Sequence, residues 1–249
     1  MQASGPTTLT IVIPCFNEAA RLPHTLENLA QLKPALASHD LDLQQVLVVD
    51  DGSSDLTLSV AKEFQDILPL EVIRSTQNRG KGSAVRLGCQ KSTSAITLIA
   101  DADLSTPWLE ILKLKKALEQ GSQIAIGSRS VATSFISIRQ PWYRERMGKT
   151  FNLLMTWLTG LEFHDTQCGF KLFVTEPLRH VWAQMRVNRF AWDVEFLMRA
   201  QKQGLFIQEV GVEWSHQEAS RVHPLRDASE MLWTVVQLRF SKLSQRVKT

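Results

Sequence analysis

Cysteine is scarce in this chain. The three that occur, Cys15, Cys89 and Cys168, are far apart, odd in number and form no C-x-x-C pair. This spacing argues against a disulfide framework or a cysteine zinc site and makes a reducing compartment the default. Long apolar runs are missing too: none approaches the roughly 18–20 residues a bilayer span requires. No charged segment followed by an apolar stretch marks a signal peptide, so a cytoplasmic protein is expected. The six histidines show no H-E-x-x-H spacing, and no G-x-S-x-G elbow, P-loop or G-x-G-x-x-G is present. The common signatures of zinc proteases, serine hydrolases, P-loop enzymes and dinucleotide binders are therefore lacking. Internal repeats and low-complexity runs are also absent.

What is present is ordinary for a globular protein: 249 residues, 44% hydrophobic and 21% charged, enough to bury a sizeable core. One domain spanning 1–249 is expected. The net charge of +3 is uneven. From Arg221 onward six Lys/Arg face two acids, giving +4 and leaving the rest of the chain at −1. A basic end suggests an anionic partner such as membrane phospholipid. No recognition motif supports nucleic-acid binding.

Short apolar runs at 9–14, 46–49, 70–74, 96–100 and 123–126 alternate with amphipathic stretches. This pattern predicts an α/β protein with a mainly parallel sheet flanked by helices. Pro14 is expected to end the first strand, Ser105 or Thr106 to cap a helix with Pro107 at its first position, and 205–214 to be one strand. In parallel sheets ligands gather beyond the carboxyl ends of the strands. Four polar clusters fall there: Phe16–Glu18, Asp50–Asp51, Asn78–Gly82 and Asp101–Asp103. Asp101 and Asp103, two apart on extended backbone, would point to one side. Paired carboxylates suit Mg²⁺ or Mn²⁺ beside a diphosphate, although a solvated turn has the same sequence. The Gly80-Lys81-Gly82 loop could present N–H groups to phosphate or be a plain loop-to-helix turn. Arg129, Arg144 and Arg146 could hold a phosphate bidentately or lie on solvated helix faces.

The order of these motifs resembles the family 2 glycosyltransferases, which have the GT-A fold with its Rossmann-like nucleotide-binding half. The matching segments are Ile11–Glu18, Val48–Asp55, Asn78–Gly82 and Asp101–Asp103. Gly127-Ser-Arg129, Asp165–Lys171 and Trp192–Glu195 are similar to the polyprenyl-phosphate glycosyltransferases. The resemblance implies a nucleotide-sugar half over about 9–130 and an acceptor half over about 131–249. It implies that Pro14, Phe16 and Glu18 frame the nucleoside, and that Asp50, Asp51 and Lys81 help bind the donor. Asp101 and Asp103 would hold Mg²⁺ or Mn²⁺ against the diphosphate, and Ser105 stands where mannose synthases carry a Gln ligand. Arg129 with Arg144 or Arg146 would face an acceptor phosphate, while Asp165, Gln167 and Asp193 would shape the sugar pocket.

The implied reaction is inverting transfer of glucose from UDP-glucose to a dolichyl or polyprenyl phosphate. Asp103, Arg129, Arg144 and Asp193 would be the catalytic group. GDP-mannose as donor, or a non-catalytic nucleotide-sugar-binding module, are the alternatives. Relatives carry membrane spans and this sequence has none. A lipid acceptor therefore implies peripheral binding at the cytoplasmic membrane face, through the 141–158 segment and the basic C-terminal helix, unless these pack in a homodimer.

Overall fold

The computed structural model describes residues 5–138, 152–216 and 224–240. Its strands are β1 (Thr7–Cys15), β2 (Leu41–Asp50), β3 (Leu70–Arg74), β4 (Ile96–Ile99), β5 (Ile124–Ser128), β6 (Phe135–Ile138), β7 (Lys171–Val174), β8 (Ile207–Gly211) and β9 (Glu213–Ser215). The helices are α1 (Leu22–Ser38), α2 (Thr57–Glu63), α3 (Lys81–Lys91), α4 (Ile111–Glu119), α5 (152–159), α6 (Thr175–Gln184), α7 (Trp192–Lys202) and α8 (Pro224–Phe240). Among the described residues, seven strands form a sheet in the order β3-β2-β1-β4-β7-β5-β8, and β6 pairs with β9 in a small second sheet. The expected α/β architecture with a mainly parallel sheet is what forms.

The apolar runs are continuous because both faces of the sheet are covered. Ile11, Ile13, Val46 and Val48 face one core with Leu22, Leu26 and Leu29 of α1 and Ile111 and Leu114 of α4. The alternate residues Val12, Leu47 and Val49 face a second core with Val85 of α3, Trp182 of α6 and Phe196 of α7. The Trp182 and Phe196 rings stack with centroids 4.6 Å apart. Each fully buried aliphatic or aromatic side chain contributes about 1.5–3 kcal/mol.

Three sequence expectations are corrected. Pro14 does not end β1, which runs on to Cys15. Pairing with the shorter β4 stops at Val12, so the missing proline N–H breaks no ladder on that side. Residues 205–214 are not one strand: β8 leaves the large sheet at Gly211 and β9 joins β6, with Val212 N–H still bonded to Ser128 O at 3.1 Å. No side-chain cap from Ser105 or Thr106 opens the next helix. Pro107 leads instead into a single 3-10 turn, Trp108–Glu110, before α4.

A strand absent from the sequence reading, β7, inserts antiparallel between β4 and β5. Its direction matters. An antiparallel strand presents its N-terminal end where its parallel neighbours present their C-terminal ends, so the 165–171 segment arrives at the edge where the strand exits gather. Lys171 is in register with Ile99 and Ile126.

Candidate functional site

Three loops at this edge are tied to one another. Asn17, held at φ +55, accepts the Ser54 N–H at 2.9 Å and donates its own N–H to Ser53 Oγ at 2.8 Å. Glu18 N–H donates to Thr57 Oγ1 at 2.7 Å. The Phe16–Glu18 loop and the Asp50–Asp55 turn are thus one unit. Both oxygens of Asp51 accept from the third loop, from the N–H groups of Arg79 at 3.0 Å and Gly80 at 2.7 Å. Asp51 therefore shapes the loop that carries Lys81.

Asp50 is fully buried. Its Oδ1 accepts the Ser53 N–H at 3.0 Å. Its Oδ2 has no hydrogen-bond donor and lies 3.8 Å from Arg74 Nε. A buried carboxylate oxygen without a donor is costly, and it suits the N–H of a base or a ribose hydroxyl. Phe16 follows Cys15, the residue in register with Asp50, is 38% exposed and can offer a ring face, while Pro14 sits half-buried one residue before the end of β1.

Asp101 lies just past β4 and meets Lys81 Nζ at 2.5 Å. Burial acts to raise its carboxyl pKa, but Lys81, Lys171 and Arg129 outweigh burial and hold it below the ordinary range. Asp103 accepts the Ser105 N–H on Oδ1 at 3.0 Å and has Arg21 Nη1 3.8 Å from Oδ2. Arg21 in turn pairs with Glu18, Nε to Oε2 at 2.6 Å. The expected extended geometry for the two aspartates is corrected: β4 stops at Ile99, and 101–104 is a turn with Leu104 at φ +52. The period-two rule therefore does not orient the pair.

The 165–171 segment supplies the opposite wall. Arg129 and Asp165 form a two-pronged pair, Nε to Oδ2 at 2.6 Å and Nη2 to Oδ1 at 2.8 Å, and the Arg129 N–H adds a third bond at 3.0 Å. Burial opposes charge on both, but the pairing prevails and lowers the Asp165 pKa. The Arg129 guanidinium lies over the Trp214 ring at 5.4 Å. Gln167 donates its N–H to Asp165 Oδ1 at 3.1 Å and lies 3.8 Å from Met231 Sδ on α8.

Lys171 is fully buried, bonded to Cys168 O and placed 5.4 Å from the Trp192 ring. Burial lowers its pKa against the pull of Asp193. Asp193, in the first turn of α7, is pushed up to about 6 by burial, in spite of Lys171, the Val194 N–H and Lys81. Above its ordinary 3.8 the folded chain keeps a proton that the unfolded chain releases. This group's contribution to stability is therefore present below about pH 4 and is lost as the pH rises through about 6.

Glu18, Asp50, Lys81, Asp101, Asp103, Arg129, Asp165, Gln167 and Asp193 all lie on strand exits or the segments facing them. Arg144 and Arg146 lie outside the described residues. The sequence reading assigned no role to Arg21, Lys171, Gly169 or Trp214. Lys171 and Gly169 stand in the quoted 165–171 motif, but nothing in one sequence marks a lysine as fully buried. Among the described residues no group of three or more His, Cys, Asp and Glu could hold a metal ion. Asp101 and Asp103 are nevertheless hard oxygen donors with Asp101 kept ionised. Two carboxylates, completed by diphosphate oxygens and water, match the usual Mg²⁺ set.

Residues 10–182 match the family described as Glycosyl transferase family 2. The chain is 30% identical to the dolichyl-phosphate beta-glucosyltransferase of Dictyostelium discoideum, covering 94% of this chain and 75% of the relative. It is 34% identical to the enzyme of that name from Drosophila melanogaster, over 90% and 72%. Its fold is similar to glucosyl-3-phosphoglycerate synthase from Mycobacterium tuberculosis, crystallised with Mn²⁺, UDP and glucosyl-3-phosphoglycerate. That match has a TM-score of 0.65 at 19% identity, covering 93% of this chain and 79% of that one.

Proposed function

Because the chain belongs to glycosyl transferase family 2, we propose that it moves glucose from UDP-glucose to a dolichyl or polyprenyl phosphate with inversion at the anomeric carbon. The observation that carries this reading is the ionised Asp101 beside Asp103, facing Lys81, Lys171 and Arg129 at the edge where the strand exits meet. The names of its relatives support glucose and dolichyl phosphate as the transferred group and acceptor.

In this reading Asp50 receives the base or ribose through its unbonded Oδ2, with Pro14, Phe16 and Glu18 framing the nucleoside. Asp101 and Asp103 would hold Mg²⁺ or Mn²⁺, which when bound neutralises charge on the departing diphosphate. Lys81 adds a cation beside Asp101 as that charge develops. Arg129 spends Nε and Nη2 on Asp165, which leaves Nη1 as the donor for an acceptor phosphate oxygen. That phosphate is already ionised near neutral pH, so it needs positioning more than a strong base. Its oxygen bonds to the anomeric carbon as the bond to the diphosphate oxygen breaks, and an α-linked donor gives a β-linked product. Gln167 and Asp193 would contact the sugar.

The test is transfer of label from UDP-glucose into an organic-extractable lipid phosphate, with Mg²⁺ or Mn²⁺ and a chelator control. The expected result is label in the lipid phase that chelator abolishes. Nucleotide binding without transfer from UDP-glucose or GDP-mannose would favour a binding module instead.

A pH dependence follows from Asp193. If its charged form orients the sugar, kcat/KM falls as the pH drops through about 6, the limb expected for one essential ionised group. The Asp193→Asn variant is slow and loses that limb, which rates between pH 5 and 8 would reveal.

Among the described residues no helix is long and apolar enough to cross a membrane. On α5, Leu153 and Trp157 are 71% and 77% exposed. They are one helical turn apart and so share a face, and they support contact with a lipid surface. Flotation with acidic vesicles should carry the parent upward and leave a Leu153→Ser, Trp157→Ser variant behind. Equal flotation of the two would remove α5 from the contact.

A further inference from the structure

A second concavity, of about 1040 Å³, opens on the helical face behind the Gly80 loop. Its walls are the end of α6, the 186–189 loop, α7 and α8, with Arg79 from the Gly80 loop that packs on Asn188 and Arg189. Asp50, Asp101 and Asp103 are not among its lining residues, and it meets the donor side at Arg79, whose backbone N–H donates to Asp51.

Its charge is one-sided. Arg79, Arg186, Arg189, Arg199 and Lys202 line it with two carboxylates, Glu195 and Glu230. Both carboxylates are already committed. Glu195 is fully buried. It accepts from Arg199 Nη2 at 2.7 Å and from the N–H groups of Arg186 and Val187 at 2.9 and 2.7 Å. Glu230 lies 3.4 Å from Arg189 Nε. Among the described residues this leaves the arginines Arg79 and Arg186 as cations in the cleft that no carboxylate offsets. The guanidinium groups of Arg79 and Arg186 make no ion pair among the described residues. Like charges gathered round one cleft raise the local concentration of an anion, more so at low salt.

From this geometry we infer that the cleft is a second anion site, separate from the donor pocket, whose ligand is a multiply charged phosphate ester. Guanidinium forks match phosphate oxygens in pairs. The volume, at the upper end of the roughly 300–1,000 Å³ of small-molecule sites, exceeds what one inorganic phosphate fills. The buried Glu195–Arg199 pair fixes the 186–187 backbone, so the Arg186 side chain starts from a rigid base. The same chemistry could arrive as a soluble polyphosphate ester or as a lipid headgroup.

Calorimetric titration of the full chain with inorganic tripolyphosphate, in the presence of saturating UDP, tests the site. A binding event is expected to persist under UDP, to weaken with added salt, and to weaken by about tenfold or more, roughly 1.4 kcal/mol, in Arg186→Glu, Lys202→Glu. The neutral pair Arg186→Gln, Lys202→Gln should fall between the two, which separates charge from misfolding, and Asp103→Asn should bind as the parent does. A parallel arm uses phosphatidylcholine vesicles with and without phosphatidic acid, whose phosphomonoester headgroup can carry two negative charges. Charge-reversal-sensitive binding to the acidic vesicles but not to tripolyphosphate assigns the anion to a lipid headgroup, and the converse assigns a soluble ligand. Binding that UDP abolishes, or that the Glu variant retains with both probes, overturns the site. Because the readout is anion binding, it stands whether or not the chain transfers glucose.

Discussion

Asp101→Asn is expected to lower sugar transfer by about 10³-fold, the upper end of what losing one preorganised charge partner costs. The reason lies in the surroundings of this carboxylate. Lys81 sits 2.5 Å away, and Lys171 and Arg129 act on it as well. Neutralising it leaves cations facing one another and removes one of the two hard oxygen donors proposed for the divalent ion. The cost in stability is smaller, about 1–2 kcal/mol, because the Lys81 and Asp101 side chains are 27% and 33% exposed and water screens them. The measurement is initial rate against Mg²⁺ or Mn²⁺ concentration, with a thermal melt as the fold control. A variant that keeps the parent's ion-dependent turnover would take Asp101 out of the donor site.

The second large effect is expected at a residue with no side chain. A Cβ added at Gly169 would lie 2.1 Å from Asp101 Oδ2 and 2.4 Å from its Cγ. Close approach of the 168–170 backbone to the carboxylate demands glycine here. In Gly169→Ala the aspartate must move, and it is a short side chain held by Lys81, so it cannot swing aside as the end of a long chain would. A displacement of about 1 Å at a reacting centre costs on the order of 10²-fold in rate, and the overpacking costs about 1–3 kcal/mol in stability. The two substitutions should not add. In an Asp101→Asn background, Gly169→Ala should lose little further activity, because the group it displaces has already lost its role. Full additivity in that double-mutant cycle would mean that Gly169 acts through another partner.

The bonds around Asp51 show why a motif can be legible while a residue's job is not. Its place after an apolar strand and before Gly52 marks a ligand-side turn. Its oxygens are nevertheless taken by the N–H groups of Arg79 and Gly80, some thirty residues on. Arg129 is similar: as an arginine beyond a strand it reads as a phosphate ligand, yet half its fork is bound to Asp165. Asp101 and Asp103 read as an aligned pair only while the strand is taken to continue. The turn after Ile99 sends one to Lys81 and the other towards Arg21.

The sequence by itself determined the layers and the edge. Apolar runs covered on both faces, alternating with amphipathic helices, leave a mainly parallel sheet as the arrangement that buries them, and polar clusters just past each run must then lie along one rim. Tertiary structure alone decided the site's electrostatics. The reversal of β7 brings a buried lysine and Gly169 against Asp101, and burial moves Asp193 to about 6. Those properties depend on distances between segments up to about a hundred residues apart, which no local periodicity encodes.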